Sequence, residues 1–194
     1  MERAASVLRF WFGNPEDAAG EYGQQRQVWF KKDPAFDDTI RQQFLGDVEQ
    51  ATGGALGAWR DQPRPCLALL LLLDQFPRNL FRGEGRSFAG DRAALATAYH
   101  ALDRGYDQQV LPVERIFFYL PLEHSENLAD QDRSVELARS LHAAHPEFDT
   151  IFDYALRHRE VIQRFGRFPH RNEILGRETT PEEAEFLQQP GSRF

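Results

Sequence analysis

Apolar residues recur three and four apart along nearly the whole chain, and no strictly alternating run is long enough for a strand. The pattern therefore predicts an all-α protein. Ala5, Leu8, Trp11 and Phe12 form a first stripe, closed by Gly13, Asn14 and Pro15. Asp33 stands where a cap is needed, Pro34 fits a first helical position, and Phe36, Ile40, Phe44 and Val48 share one face until Gly53 and Gly54. Beyond Pro63 and Pro65 comes CLALLLLLDQF, which starts at Cys66 and is apolar on every side. It predicts a central core helix that ends before Pro77. The next helix begins at Ser87 or Phe88, with Ser87 read as its cap, and runs through Ala94, Ala98 and Leu102 to Gly105. Pro112 opens VERIFFYL and Pro121 is expected to end it. Leu128, Val135, Ala138 and Leu141 mark a helix before Pro146, and Phe148 to Phe165 a long one stopped by Gly166. Thr180-Pro181-Glu182-Glu183 has the spacing of a capping box. Short links between consecutive helices predict antiparallel pairs in a compact array.

Length and composition narrow this to one domain over residues 1–194, since 41% hydrophobic and 27% charged residues are an ordinary globular balance. The lone cysteine, Cys66, has no internal partner and reads as a buried thiol, which suits a reducing cytoplasm. The opening MERAASVLRFWFG lacks the order of charge, apolar stretch and cleavage site that export requires. The apolar run from Cys66 to Leu73 is far shorter than the ~20 residues that span a bilayer, so no membrane association is expected. Trp11, Trp29 and Trp59 are read as core. A net charge of -7 argues against nucleic acid as partner. No cofactor is predicted, because there is no phosphate-binding loop, dinucleotide fingerprint or paired metal motif. The two H-x-E matches at His124 and His158 lack the P-C-x-x-C that a zinc deaminase needs.

Three segments carry more polar groups than packing requires. In the first, Asp74, Arg78 and Asn79 leave the most hydrophobic helix around Pro77; they read either as a structural helix break or as a ligand-facing rim. The second holds Glu123, His124, Ser125 and Glu126. If it is helical, Glu123 and Glu126 share a face while His124 projects about 100° away, which disfavours joint chelation of one ion. Ser125 can instead be a cap followed by first-turn acids. The third runs from Arg157 to Arg177 and includes His158, Arg164, Arg167, His170 and Arg171. Its six arginines against Glu160 and Glu173 reverse the sign of the whole chain. Arginine forks of this kind suit a carboxylate or phosphate, or internal pairing with Glu123, Glu126, Asp130 and Asp132. Phe76-Pro77-Arg78-Asn79 and Phe168-Pro169-His170-Arg171-Asn172 form an internal echo.

The long motifs LLLDQFPRNLFRG, YLPLEHSE and RFGRFPHRN, with Leu8-Arg9-Phe10-Trp11-Phe12-Gly13 and Leu175-Gly176-Arg177, resemble the bacterial family catalogued as domain of unknown function 924. The resemblance implies a tetratricopeptide-like all-α fold and carries over no activity. Two functional readings therefore stand. One is a binding module in which Asp74, Arg78, Asn79, Glu123, His124, Glu126, Arg164, Arg167, His170 and Arg171 hold an anionic small molecule or a peptide or protein partner. The other is a hydrolase-like enzyme with Glu123 or His124 as general base and the Arg164–Arg171 cluster stabilising negative charge. A metal-assisted version would recruit Glu123, Glu126, His124, His158 or His170.

Overall fold

The computed structural model describes residues 2–17 and 20–193, and among them every regular element is helical. The chain divides into two compact units: residues 1–82 with 86–121, and residues 83–85 with 122–194. Among the described residues no helix is long and apolar enough to cross a membrane.

The first unit holds α1 (Glu2–Phe12), α2 (Pro34–Thr52), α3 (Pro63–Leu70), α4 (Phe76–Leu80), α5 (Asp91–Asp103) and α6 (Pro112–Glu123) as far as Pro121. Its core is aromatic where α1 ends. Trp11 and Trp29 stack with ring centres 6.0 Å apart, and Phe117 stands edge-on to Trp29 at 5.0 Å and to Phe12 at 5.3 Å. The last carbonyls of α1 have no partners within the helix, and two long-range donors supply them. Arg26 Nη1 donates to the Phe10 and Trp11 carbonyls at 3.0 and 2.7 Å, and Trp29 Nε1 donates to the Trp11 carbonyl at 2.9 Å. Trp59, by contrast, is only half-buried.

Asp33 caps α2 as its spacing implies, accepting from the Ala35 and Phe36 N–H groups at 3.0 and 3.1 Å. Asp33→Ala should lower stability by about 1 kcal/mol, read as a shift in denaturation midpoint at unchanged slope.

The core helix differs from expectation at both ends. It starts at Pro63 rather than Cys66, and Pro77 does not stop it. Proline has no N–H and crowds the carbonyl four residues before it. Between α3 and α4 the backbone widens into a π-helical turn, Leu71–Gln75, in which Phe76 N–H reaches back five residues to the Leu71 carbonyl. This turn lets the helix run past Pro77. Pro121 likewise sits inside α6 instead of ending it. Ser87 is not a cap: it is buried in a 3-10 turn, Gly85–Phe88, and Gly90 occupies the position before α5.

In the second unit α7 (Leu128–Ala144) and α8 (Asp149–Phe165) pack along each other, with Val135, Ala138, Ala155 and Phe152 between them. The alanines allow close approach of the two backbones. Asn127, not Ser125, caps α7, accepting from Ala129 N–H at 2.8 Å. Ser125 instead donates to Asp130 Oδ2 at 2.6 Å. Gly166 ends α8 in the left-handed conformation at φ 68°. The short helix α9 (Pro181–Phe186) places Phe186 5.1 Å from Phe165, against the cluster of Val161, Ile162 and Phe168.

Candidate functional site

The polar groups around Pro77 form a tight lock in the first unit. Asp74 is almost fully buried; Gln75 Nε2 donates to its Oδ2 at 2.6 Å, and Arg78 Nη1 lies 3.2 Å from its Oδ1. Arg78 also donates to the Asp74 backbone carbonyl at 2.7 Å and to both Asp91 oxygens at 2.9 and 3.1 Å. Burial works against the charge on Arg78, but Asp74 and Asp91 outweigh it and hold its pKa above the ordinary arginine value. Asn79 Nδ2 and Arg82 Nε both donate to Asp37 of α2 at 2.7 Å. The bonds to Asp91 and Asp37 tie this stretch to α5 and α2, Arg78 also covers the Asp74 carbonyl, and Gln75 and Arg78 hold the Asp74 carboxylate from within the same stretch.

Most of the arginine-rich segment is also engaged within the second unit. Arg164 pairs with Glu182 at 2.9 Å, Arg159 with Asp132 at 2.5 Å, and Arg157 with Asp153 at 2.7 Å. Arg167 donates to both Glu183 oxygens at 2.6 and 2.8 Å, and Glu183 completes the capping box with Thr180. Glu126 lies outside any helix. It accepts from both terminal nitrogens of Arg177 at 2.7 and 3.0 Å and from Phe168 N–H at 2.8 Å. Burial alone would raise the Glu126 carboxyl, but the Arg177 and Phe168 hydrogen bonds outweigh it and keep the pKa below the usual range.

The Glu126–Arg177 pair holds the Phe168 backbone, and a group of imidazoles gathers at the Phe168 ring. His158 and His170 each lie with ring centres 5.6 Å from Phe168, His124 is 6.3 Å from His158, and the Arg171 guanidinium covers Phe168 at 4.5 Å. The elements explain the convergence. α6 ends at Glu123 and sends His124 off its terminus, α8 presents His158, and the 3-10 turn Pro169–Arg171 places His170 and Arg171 just after Phe168. Gln131 of α7 fastens the end of α6 by donating to the Glu123 and Ser125 carbonyls at 2.6 and 2.7 Å.

His158 Nδ1 is 2.8 Å from the Tyr154 carbonyl and 3.1 Å from Glu123 Oε1, with both His158 and Glu123 buried. Burial drives His158 down to about 3, overcoming the Tyr154 carbonyl; His124, His170 and Arg171 push the same way. Its ring is therefore neutral at ordinary pH, with its proton on Nδ1 shared between the carbonyl and Glu123. Burial and then Arg171 bring His170 to about 3 as well. Gln131 Oε1 and Ser134 Oγ on α7 and Asn172 Oδ1 just after the Pro169–Arg171 turn are buried and have no hydrogen-bond partner among the described residues.

The predicted residues thus belong to different bonded groups. Asp74, Arg78 and Asn79 belong to the first unit's lock, Arg164 and Arg167 to the pairs with α9, and Glu123, His124, Glu126, His170 and Arg171 to the neighbourhood of Phe168. His158 joins them, a residue that the sequence pattern offers only as a metal ligand. Its signal is present in the pattern: Ala155, His158 and Ile162 share the buried stripe of α8, and a histidine on such a stripe is held by something specific. Among the described residues no group of three or more His, Cys, Asp or Glu is placed to hold a metal ion.

A family model described as a bacterial protein of unknown function, DUF924, matches residues 7–191. A solved structure of a protein of unknown function from Agrobacterium tumefaciens is similar over 96% of this chain and 97% of its own, at 41% identity and a TM-score of 0.83. No curated protein matches the chain.

Proposed function

The chain belongs to the bacterial family of unknown function DUF924, and from that premise we propose that it is a binding protein whose ligand is a small anion held among His124, His158, His170 and Arg171. The observation that carries this reading is the clustering of His158, His170 and the Arg171 guanidinium on the Phe168 ring, with His124 next to His158. Arg171 supplies a fixed positive charge, and an imidazole that takes up a proton as the anion binds gains a second N–H donor; for His158, whose Nδ1 proton is held by Tyr154 and Glu123, that donor would be Nε2. Burial is the main reason His158 and His170 lie near 3, and Arg171 adds to it; an incoming anion would offset the Arg171 field and favour the protonated rings, so binding should raise both pKa values and take up protons. Affinity therefore rises as pH falls.

Sulfate is a suitable probe because its own charge is constant over the range that matters. Titrated at fixed ionic strength and followed by the imidazole NMR signals of His158 and His170, it should bind several-fold more tightly at about pH 5.5 than at about pH 8. Arg171→Gln should abolish the response. Imidazole signals that ignore sulfate, or that respond equally in Arg171→Gln, would overturn the proposal.

A second reading rests on the contact of Glu123 with His158. A buried carboxylate that orients a neutral imidazole is the arrangement general-base catalysis uses. In a hydrolytic reaction His158 would be the base and Glu123 its positioning residue, in place of Glu123 or His124 acting directly. Turnover of an activated phosphate or carboxylate ester that survives His158→Gln would remove this reading.

A further inference from the structure

We propose that the first unit carries a second, separate ligand site: a cleft of about 500 Å³ that takes a small monoanion with an apolar body, its carboxylate on Arg64. The volume lies within the range of small-molecule sites. The cleft lies beside α1 and the start of α3, with Ala5, Leu8 and Pro65 forming apolar lining and Tyr22 a further part of the wall. Small residues on α1 leave the space. The Tyr22 side is held by Gly13, which sits at φ 91° and approaches so closely that a Cβ there would meet Tyr22 N at 3.2 Å. A side chain at Gly13 is excluded twice, by backbone conformation and by contact.

Hydrogen-bond accounting points to an anion. The Arg64 side chain is about half exposed at 47%, and only its Nη1 is used, in long contacts of 3.2 and 3.4 Å to the buried Glu114 carboxylate. Glu114 is meanwhile engaged by Leu111 N–H at 3.0 Å. The Nε and Nη2 edge of Arg64, the edge that grips a carboxylate with two parallel bonds, has no partner among the described residues. Arg9 also lines the cleft but is bound to the exposed Glu2 at 2.7 Å, and Glu16 lies in the same lining, so the open edge of Arg64 is the group that would receive the carboxylate. An apolar lining beside an open guanidinium edge selects a ligand with a hydrophobic body and one negative end. Sulfate, lacking that body, belongs at the imidazole cluster and not here, so the two proposals succeed or fail separately.

The test uses 3-phenylpropionate, with 3-phenylpropionamide and 3-phenylpropylamine as isosteric controls. Backbone amide signals of Ala5, Gly13 and Tyr22 should shift saturably with the carboxylate and stay still with both controls. Arg64→Gln keeps a donor for Glu114 and removes the charge; it should weaken binding ~10-fold or more. Ala5→Phe fills the cleft and should abolish binding without touching Arg64, which keeps the test decisive even if Arg64→Gln unsettles Glu114. Equal binding of the amide, wild-type affinity in Ala5→Phe, absence of saturation, or shifts confined to His158 and His170 would each overturn the proposal.

Discussion

Gly90→Ala is expected to destabilise the protein by about 3 kcal/mol or more, a fall of roughly 6–12 °C in melting temperature for a chain of this length. A Cβ at Gly90 would lie 2.1 Å from the Leu73 carbonyl oxygen, 3.0 Å from its carbon and 3.3 Å from its Cα. All three are backbone atoms, so no side-chain rotation can relieve the clash. The backbone at Gly90 is ordinary, with φ -87° and ψ -12°, and any residue can adopt it. The effect is therefore one of contact alone.

The reason for the close approach lies in Pro77. In a regular helix the Leu73 carbonyl would accept from the residue four positions on, and Pro77 has nothing to donate. The π-helical turn opens there, and the carbonyl meets the Cα–H of Gly90 instead, a weak but repeated kind of contact. Gly90 in turn starts α5, accepting from Ala94 N–H at 2.8 Å, and delivers the adjacent Asp91 to Arg78. Gly46→Ala is the contrasting control. It lies within α2 with nothing within 4 Å of its added Cβ, and it should gain about 0.5–1 kcal/mol from better helix propensity. If Gly90→Ala melts within ~2 °C of wild type, the account of the Pro77 turn is wrong.

These positions also separate what the sequence makes legible from what it does not. Asp33, Gly166 and Thr180 are read correctly because a cap depends on a few neighbouring residues and on backbone conformation. Pro77 and Pro121 mislead for the opposite reason. Whether a proline ends a helix depends on whether packing elsewhere accepts the displaced carbonyls, and here Gly90 and the π-helical turn do so for Pro77. Ser87 and Ser125 have the chemistry of caps, yet Gly90 and Asn127 hold those places. For the arginines, composition locates the segment but not the partners. Arg177 finds Glu126 across 51 positions and Arg167 finds Glu183 across 16, separations at which no periodic pattern acts. Arg171 and His170 come to the Phe168 ring only because the turn after Pro169 is a short 3-10 turn, whereas the matching Arg78 and Asn79 lie in a helix. The internal echo in sequence thus corresponds to two different local structures.

Glu183→Gln is expected to lower the melting temperature by on the order of 5 °C at neutral pH, and the difference from wild type should vanish in acid. The Glu183 carboxylate receives Arg167 Nε and Nη2, Thr180 N–H at 2.8 Å and Asn172 Nδ2 at 3.2 Å. The Arg167 hydrogen bonds, helped by Thr180 N–H and opposed by burial, bring its pKa from an ordinary 4.5 to about 2. The carboxylate is covered by these partners rather than set deep in the core, so its pairing and not its surroundings dominates. Because the folded pKa lies below the unfolded one, the stabilisation is fully present above about 4.5 and is lost as pH falls towards about 2. Denaturant midpoints of wild type and Glu183→Gln should run parallel from about pH 8 to about pH 5 and converge below that. Arg167→Gln should show the same convergence with a smaller gap, since Thr180 and Asn172 still hold the carboxylate. A gap that stays constant down to about pH 2.5 would show that the Arg167–Glu183 pair does not set the acid response. The consequence reaches the imidazoles. Glu183 docks α9, α9 sets Phe186 against Phe165, and that cluster includes Phe168, so acidification below about 4 should loosen the ring on which His158 and His170 are held. Sulfate affinity should accordingly climb as pH drops to about 5 and then fall once Glu183 is protonated, and in Glu183→Gln it should be weakened already at neutral pH.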